Sequence, residues 1–206
     1  MKDRYLKLTT SFITKYHAYD DDELDKLRYG LEGIYLSVTK LIIITLIAII
    51  LGIIKEFILL LIFFNIIRFT GFGFHAGKSY QCLIFSTLLF IGVPVIMLYG
   101  EFSKTLLISV GMICLVPLAI YAPADTVKRP LPNKKKRKIR KFSTILITLI
   151  YIILIVHINN YSINSMLICS LILESIMVLP LTYKIFKQPY SCLLYTSPSP
   201  RDVEES

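Results

Sequence analysis

The chain has 206 residues, 55% of them hydrophobic and 18% charged, with no tryptophan, and its mean hydropathy is +0.66. A soluble domain of this size has no water-facing surface for so much Ile and Leu, so the composition excludes an ordinary globular protein and points to one membrane-embedded body. The formal net charge of +9 sits mostly between the apolar runs, which marks a basic membrane face and excludes a nucleic-acid surface.

The first thirty residues are polar and charged and lack an apolar stretch of signal-peptide length. Within them Tyr5, Leu8, Phe12 and Tyr16 recur at helical spacing with Lys7 and Lys15 between them, the pattern of a helix lying on the inner leaflet. Asp20 to Asp22 offer a helix N-cap, and Glu23 stands three residues after Asp20 as in a capping box. Residues 1–30 therefore read as a cytoplasmic amphipathic arm and 31–187 as the membrane body. Residues 188–206 read as a disordered or non-native tail, because 190–200 has neither the pattern nor the composition of the rest.

Six apolar runs follow the arm, at residues 34–54, 57–69, 83–99, 105–122, 142–158 and 163–183. A full span needs about 20 apolar residues, with about 17 as the lower limit. The second run is short, and only Lys55 and Glu56 part it from the first. The two form either a tight helical hairpin or one long kinked element, and Gly52 before the charged pair favours the hairpin. With the N-terminus in the cytoplasm, all of the 23 Lys and Arg except Lys40, Lys55 and Lys104 fall on inner segments, as the positive-inside rule requires. The expected fold is all-α: a polytopic helical membrane protein of about six transmembrane helices, both termini cytoplasmic, with the N-terminal amphipathic helix.

Between the second and third runs lies the segment 68–82, RFTGFGFHAGKSYQC. A thiol and an imidazole are the minimum equipment of a cysteine nucleophile, and His75 and Cys82 supply both. Cys82 stands at a membrane edge beside Ser79, Tyr80 and Gln81, and the nearby Lys78 helps hold the thiolate. Cys114 and Cys169 fall inside apolar runs as ordinary small hydrophobes, and Cys192 is in the tail. Gly71, Gly73 and Gly77 permit backbone conformations closed to other residues, so the loop can aim N–H groups at an oxyanion.

Seven residues of continuous helix would separate imidazole and thiol by about 10.5 Å along the axis. The segment must therefore bend if they act together, with Gly77 the favoured place. As bare spacing the pair is a weak signal, and packing residues share it. Glu32 and Gln81, with Asp125 behind them, are candidate orienting groups. Glu174, placed by the run boundaries near the middle of the sixth span, is an intramembrane acid with Asn65 or Lys40 as its expected partner. Too few N or S ligands converge for a metal site, and no cofactor is expected. The basic loop 122–141 carries three prolines in its first half, which suggests a fixed path. Its run Lys134, Lys135, Lys136, Arg137 and Lys138 would attract an acidic peptide or anionic lipid.

Arg68, Gly73-Phe74-His75-Ala76 and Cys82 resemble the AgrB family, the accessory gene regulator membrane peptidases of bacterial quorum sensing. So do Ala122-Pro123-Ala124-Asp125-Thr126, Arg129-Pro130 and the basic run after them, with Tyr29-Gly30-Leu31-Glu32 before the first span. The resemblance covers nearly the whole chain except the tail. It implies a cysteine endopeptidase of the bacterial cell membrane with His75 and Cys82 as the catalytic pair, and Arg68 and Gly73 as positions needed for processing. The implied substrate is an AgrD-like pro-peptide with an amphipathic leader, a signal segment and an acidic tail, and the implied assembly is a homodimer in the lipid bilayer. The tail would leave as Cys82 takes up the signal segment as a thioester, and a Cys or Ser of the peptide would close a thiolactone or lactone. The rival reading is a non-enzymatic transporter or export component, with Glu174, Lys40 and Asn65 as a polar pathway. The two part on Cys82→Ala, which a transporter survives.

Overall fold

The computed structural model describes residues 2–15, 20–73, 79–125, 131 and 133–186, with the side chains of Lys2, Asp21 and residues 79–82 left aside. Among them every regular element is helical, as expected for an all-α membrane protein. The helices are α1 (Lys2–Thr14), α2 (Asp21–Ile50), α3 (Ile54–Gly71), α4 (Ser79–Thr87), α5 (Val93–Tyr99), α6 (Lys104–Tyr121), α7 (Lys134–His157), α8 (Tyr161–Val178) and α9 (Pro180–Ile185). Two compact units emerge, Met1–Ile50 and Leu51–Ser206.

In the first unit α1 packs along α2. Tyr5 lies 5.2 Å from Tyr35 between ring centres, and Thr10 is buried while Leu8 and Phe12 stay exposed. Of the face assigned to a lipid surface, Tyr5 is thus taken up against α2 and Tyr16 lies outside the described residues. The Asp20 backbone N–H donates to Glu23 Oε2 at 3.4 Å, so the capping box is present and starts α2 where the sequence indicates. The chain leaves helix at Leu51 and Gly52, where Gly52 has φ +70°, a conformation that glycine adopts freely. The first two runs are therefore separate helices.

The second unit is built around α8, which packs against α3, α5, α6 and α7 and is buried along most of its length from Asn164 to Val178. Gly111 of α6 lets three helices meet: a β-carbon there would lie 3.1 Å from Ile152 of α7 and 3.3 Å from Ile168 of α8. Close approach through small residues is how helices associate where lipid removes the hydrophobic drive. Cys114 and Cys169 are buried free thiols, in keeping with a packing role.

Four helices are long and apolar enough to cross a membrane: most of α2, with α6, α7 and α8. The other two expected spans are also helical but less plain. α3 has 18 residues and carries Lys55, Glu56 and Arg68. The third run is a shorter apolar helix, Leu83–Tyr99, in which α4 passes through a π-helical turn, Leu88–Gly92, into α5. Pro94 explains the widened turn, since it has no N–H to offer the carbonyl four residues back. The sixth run ends early. Leu179 is extended because the residue before a proline avoids the helical region, and α9 restarts at Pro180. Glu174 accordingly lies one turn from the end of α8, not near the middle of a longer span.

Candidate functional site

Three chain segments are tied together where α3 stops. Phe72 (φ +59°) and Gly73 (φ +93°) turn the backbone out of the helix, and the Phe72 N–H still reaches back to Arg68 O at 3.1 Å. Gly73 N–H then donates to Ala124 O at 2.9 Å, and Ala124 N–H donates to Gly71 O at 3.0 Å. These two bonds form a short parallel bridge between the end of α3 and the Ala122-Pro123-Ala124-Asp125 segment. Tyr183 of α9, itself buried, donates its hydroxyl to the same Ala124 oxygen at 3.3 Å. Residues 122–125 are thus tied in place, while Pro130 and Pro132 of the same loop lie outside the described residues.

Arg68 fastens this clasp from the α3 side. Its Nη2 donates to Gly73 O at 3.1 Å and its Nη1 pairs with Glu174 Oε2 at 3.4 Å, while the guanidinium stands 5.8 Å from the Phe64 ring centre. Glu174 is fully buried, and its Oε1 has no hydrogen-bond partner. A β-carbon on Gly71 would overlap that oxygen, and one on Gly73 would overlap Arg68 and lie 2.9 Å from Met177 O. Both positions need glycine, Gly73 for its φ as well as for space.

A second acid–arginine pair closes the other side. Asp125 is fully buried and accepts from Arg137 Nη2 at 2.7 Å, which ties the loop to the first turn of α7. Arg140, one turn on, stacks over Phe69 and Phe72 at 5.3 and 4.3 Å from the ring centres and donates to Phe69 O. Phe72 is a bulky residue in the left-handed region, at a cost of about 1–2 kcal/mol, and its cation–π contact offsets part of that.

Helix α4 starts eight residues after α3 ends, with the Cys82 backbone in its first turn. The segment 68–82 is therefore not one continuous helix, but this break precedes His75, and the chain between His75 and Ser79 lies outside the described residues. The turn seen among the described residues is at Phe72 and Gly73; Gly77, the expected place of a bend between His75 and Cys82, lies outside them. So do His75 and Lys78, and the side chains of Gln81 and Cys82, so the structure relates neither the histidine nor the thiol to its neighbours. Phe85, on the turn after Cys82, packs edge-on against Phe186 at 5.2 Å, which braces α4 from the α9 side.

The remaining candidates separate. Glu32 is on α2 in the other unit. Lys134, Lys135, Lys136 and Lys138 are exposed in the first turns of α7, whereas Arg137 is half-buried and held by Asp125. Asn133 caps that helix, accepting from the Lys135 and Lys136 amides at 2.9 and 3.1 Å. Asn65 is not the partner of Glu174, because its side chain turns back to Leu61 O. Lys40 is on α2 in the other unit; the partner found is Arg68. The Arg68–Glu174 pair is not legible from an apolar run that continues to 183, because that run places the acid too deep to meet an arginine at a helix end. Pro180 was the available signal.

The family model of accessory gene regulator B matches residues 6–178. An AgrB-like protein of Clostridium acetobutylicum is 31% identical over 178 residues, 86% of this chain and 85% of that one. Accessory gene regulator protein B of Staphylococcus aureus strain MW2 is 30% identical over 84% of this chain and 91% of its own. An AgrB-like protein of Listeria monocytogenes is 27% identical over 89% and 91%. No solved structure matches the chain.

Proposed function

The chain belongs to the accessory gene regulator B family, and on that premise we propose that it is a membrane cysteine endopeptidase acting on an AgrD-like pro-peptide in a quorum-sensing system. Cys82 is the nucleophile and His75 the base. The single observation that supports this best is that α3 stops at the glycine clasp just before His75, while Cys82 stands in the first turn of another helix, α4. The pair therefore follows the turn instead of continuing α3, and in this reading the chain before Ser79 returns the imidazole toward the thiol. The first turn of α4 also favours a thiolate, since unpaired N–H groups and the helix dipole stabilise negative charge there.

In the reaction, Cys82 Sγ attacks the carbonyl joining the signal segment to its acidic tail while His75 takes the thiol proton. The tetrahedral intermediate collapses, the C–N bond breaks, and His75 returns the proton to the departing amine. The signal segment stays as a thioester on Cys82. A thiol or hydroxyl within the peptide then attacks that thioester, and Cys82 leaves as thiolate to give a thiolactone or lactone ring. Exchange between thioesters is nearly isoenergetic, and a water-poor interfacial site limits wasteful hydrolysis. The exposed lysines at the start of α7 suit the acidic tail, and the enzyme works as a homodimer with both termini and the site on the cytoplasmic side.

The test is mass spectrometry of the protein in lipid with the pro-peptide encoded beside its gene. Wild type should release the acidic tail and carry a peptide adduct on Cys82, and Cys82→Ala and His75→Ala should show neither. Undiminished cleavage by Cys82→Ala would end the mechanism.

A further inference from the structure

The Arg68–Glu174 pair is a poor source of stability where it stands. An acid taken out of water needs good geometry and full pairing to repay its desolvation, and replacing such a pair by apolar residues is often neutral or stabilising. Here the pair is a single contact of 3.4 Å, and Oε1 is left without a partner. What the carboxylate does is geometric. It holds the Arg68 fork so that Nη2 meets Gly73 O, and it fills the space beside Gly71 that a side chain would need. From the other side Ala124 holds the same two glycines. The direction in which the chain leaves Gly73, two residues before His75, is fixed between them.

We infer that Glu174 is a positioning residue of the cysteine site, acting through Arg68 to aim the Gly71–Gly73 turn and with it the strand of chain that carries His75. Nothing in this role requires Glu174 to touch substrate. The inference rests on the proposed pairing of His75 with Cys82, and the test is arranged so that the two can fail separately.

Wild type, Glu174→Leu, Glu174→Gln and His75→Ala are placed in lipid. Three readouts are taken: thermal unfolding, the pH dependence of iodoacetamide alkylation at Cys82 read on the Cys82 peptide, and cleavage kinetics. Glu174→Leu removes one partner and leaves the largely buried Arg68 guanidinium without its acid, so it should unfold below the wild-type temperature. Its Cys82 alkylation at pH 7 should slow about tenfold, with the midpoint displaced upward as in His75→Ala. Its kcat should fall about 100-fold, the usual result of roughly an ångström of misplacement, with KM within about twofold. Glu174→Gln keeps the shape and an acceptor for Arg68 and should recover part of both losses; it also serves as the informative variant if the leucine form does not fold. A folded Glu174 variant with wild-type alkylation and kcat, beside a His75→Ala that is impaired, overturns the positioning role alone. An unimpaired His75→Ala overturns the pairing, and the role falls with it.

Discussion

Gly71 and Gly73 have no room for a side chain, and they are two of the nine glycines. Alanine at Gly71 would drive its β-carbon into Glu174 Oε1 and to 3.3 Å from the carboxyl carbon. Overpacking of that kind costs about 1–3 kcal/mol. Alanine at Gly73 adds a backbone penalty of about 1–2 kcal/mol at φ +93° and meets Met177 O at 2.9 Å. By contrast Gly30 sits inside α2 with nothing within 4 Å, and alanine there removes a helix-interior glycine worth about 1 kcal/mol. Thermal unfolding in one lipid should therefore rank Gly30→Ala at or above wild type, Gly71→Ala several degrees below it, and Gly73→Ala lowest. Equal unfolding temperatures for Gly71→Ala and Gly30→Ala would remove the clasp. At this scale the sequence was partly legible. Gly73 was marked by the glycine-rich loop and Arg68 only by the family resemblance, and the partner of Arg68 is 106 residues away, a separation that no local pattern encodes. Ala124 belonged to a motif of the resemblance, but its role was not legible, since only its backbone takes part.

At the scale of elements, the start of α7 works against itself. A helix N-terminus carries partial positive charge, yet α7 opens on Lys134, Lys135 and Lys136 with no acid in its first turn. Among the described residues Asn133 as N-cap and Asp125 on Arg137 counter it. Replacing Lys134, Lys135, Lys136 and Lys138 by Gln should relieve this by about 0.3 kcal/mol or more per charge at low salt, so the unfolding temperature should rise slightly. Cleavage of a pro-peptide with an acidic tail should fall in the same variant and lose most of its dependence on ionic strength. Opposite signs for stability and activity are the expected result, and unchanged cleavage would free these lysines of any substrate role. The helices themselves were legible because apolar runs and caps are local signals: Asp20 with Glu23 starts α2, and Gly52 ends it. The end of α8 was not, because Leu179, Pro180 and Leu181 prolong the apolar run while Pro180 silently breaks the helix. The π-helical turn before Pro94 was likewise invisible to apolar periodicity.

For the whole molecule, the charge distribution sets an orientation that can be checked directly. The clasp, the start of α7 and the end of α8 lie at one end of the second unit, joined by the Gly73–Ala124, Asp125–Arg137 and Arg68–Glu174 contacts. The other end holds Lys104, which donates to Asn159 at 2.9 Å, and Glu56, which accepts from Ser162 at 3.1 Å, with His157 exposed beside them. Basic residues crowd the first end, and on the positive-inside rule we propose that this end faces the cytoplasm. His157→Cys and Lys138→Cys mark the two ends of the same helix, α7, and both sites are exposed. In intact cells a membrane-impermeant maleimide should label His157→Cys above the wild-type background and leave Lys138→Cys at background until the membrane is opened. The reverse order would turn the site outward and separate it from a pro-peptide made in the cytoplasm. Labelling of both in intact cells would mean that α7 does not span. Because α7 packs on α3, α6 and α8, its orientation fixes the side of the membrane on which the glycine clasp works.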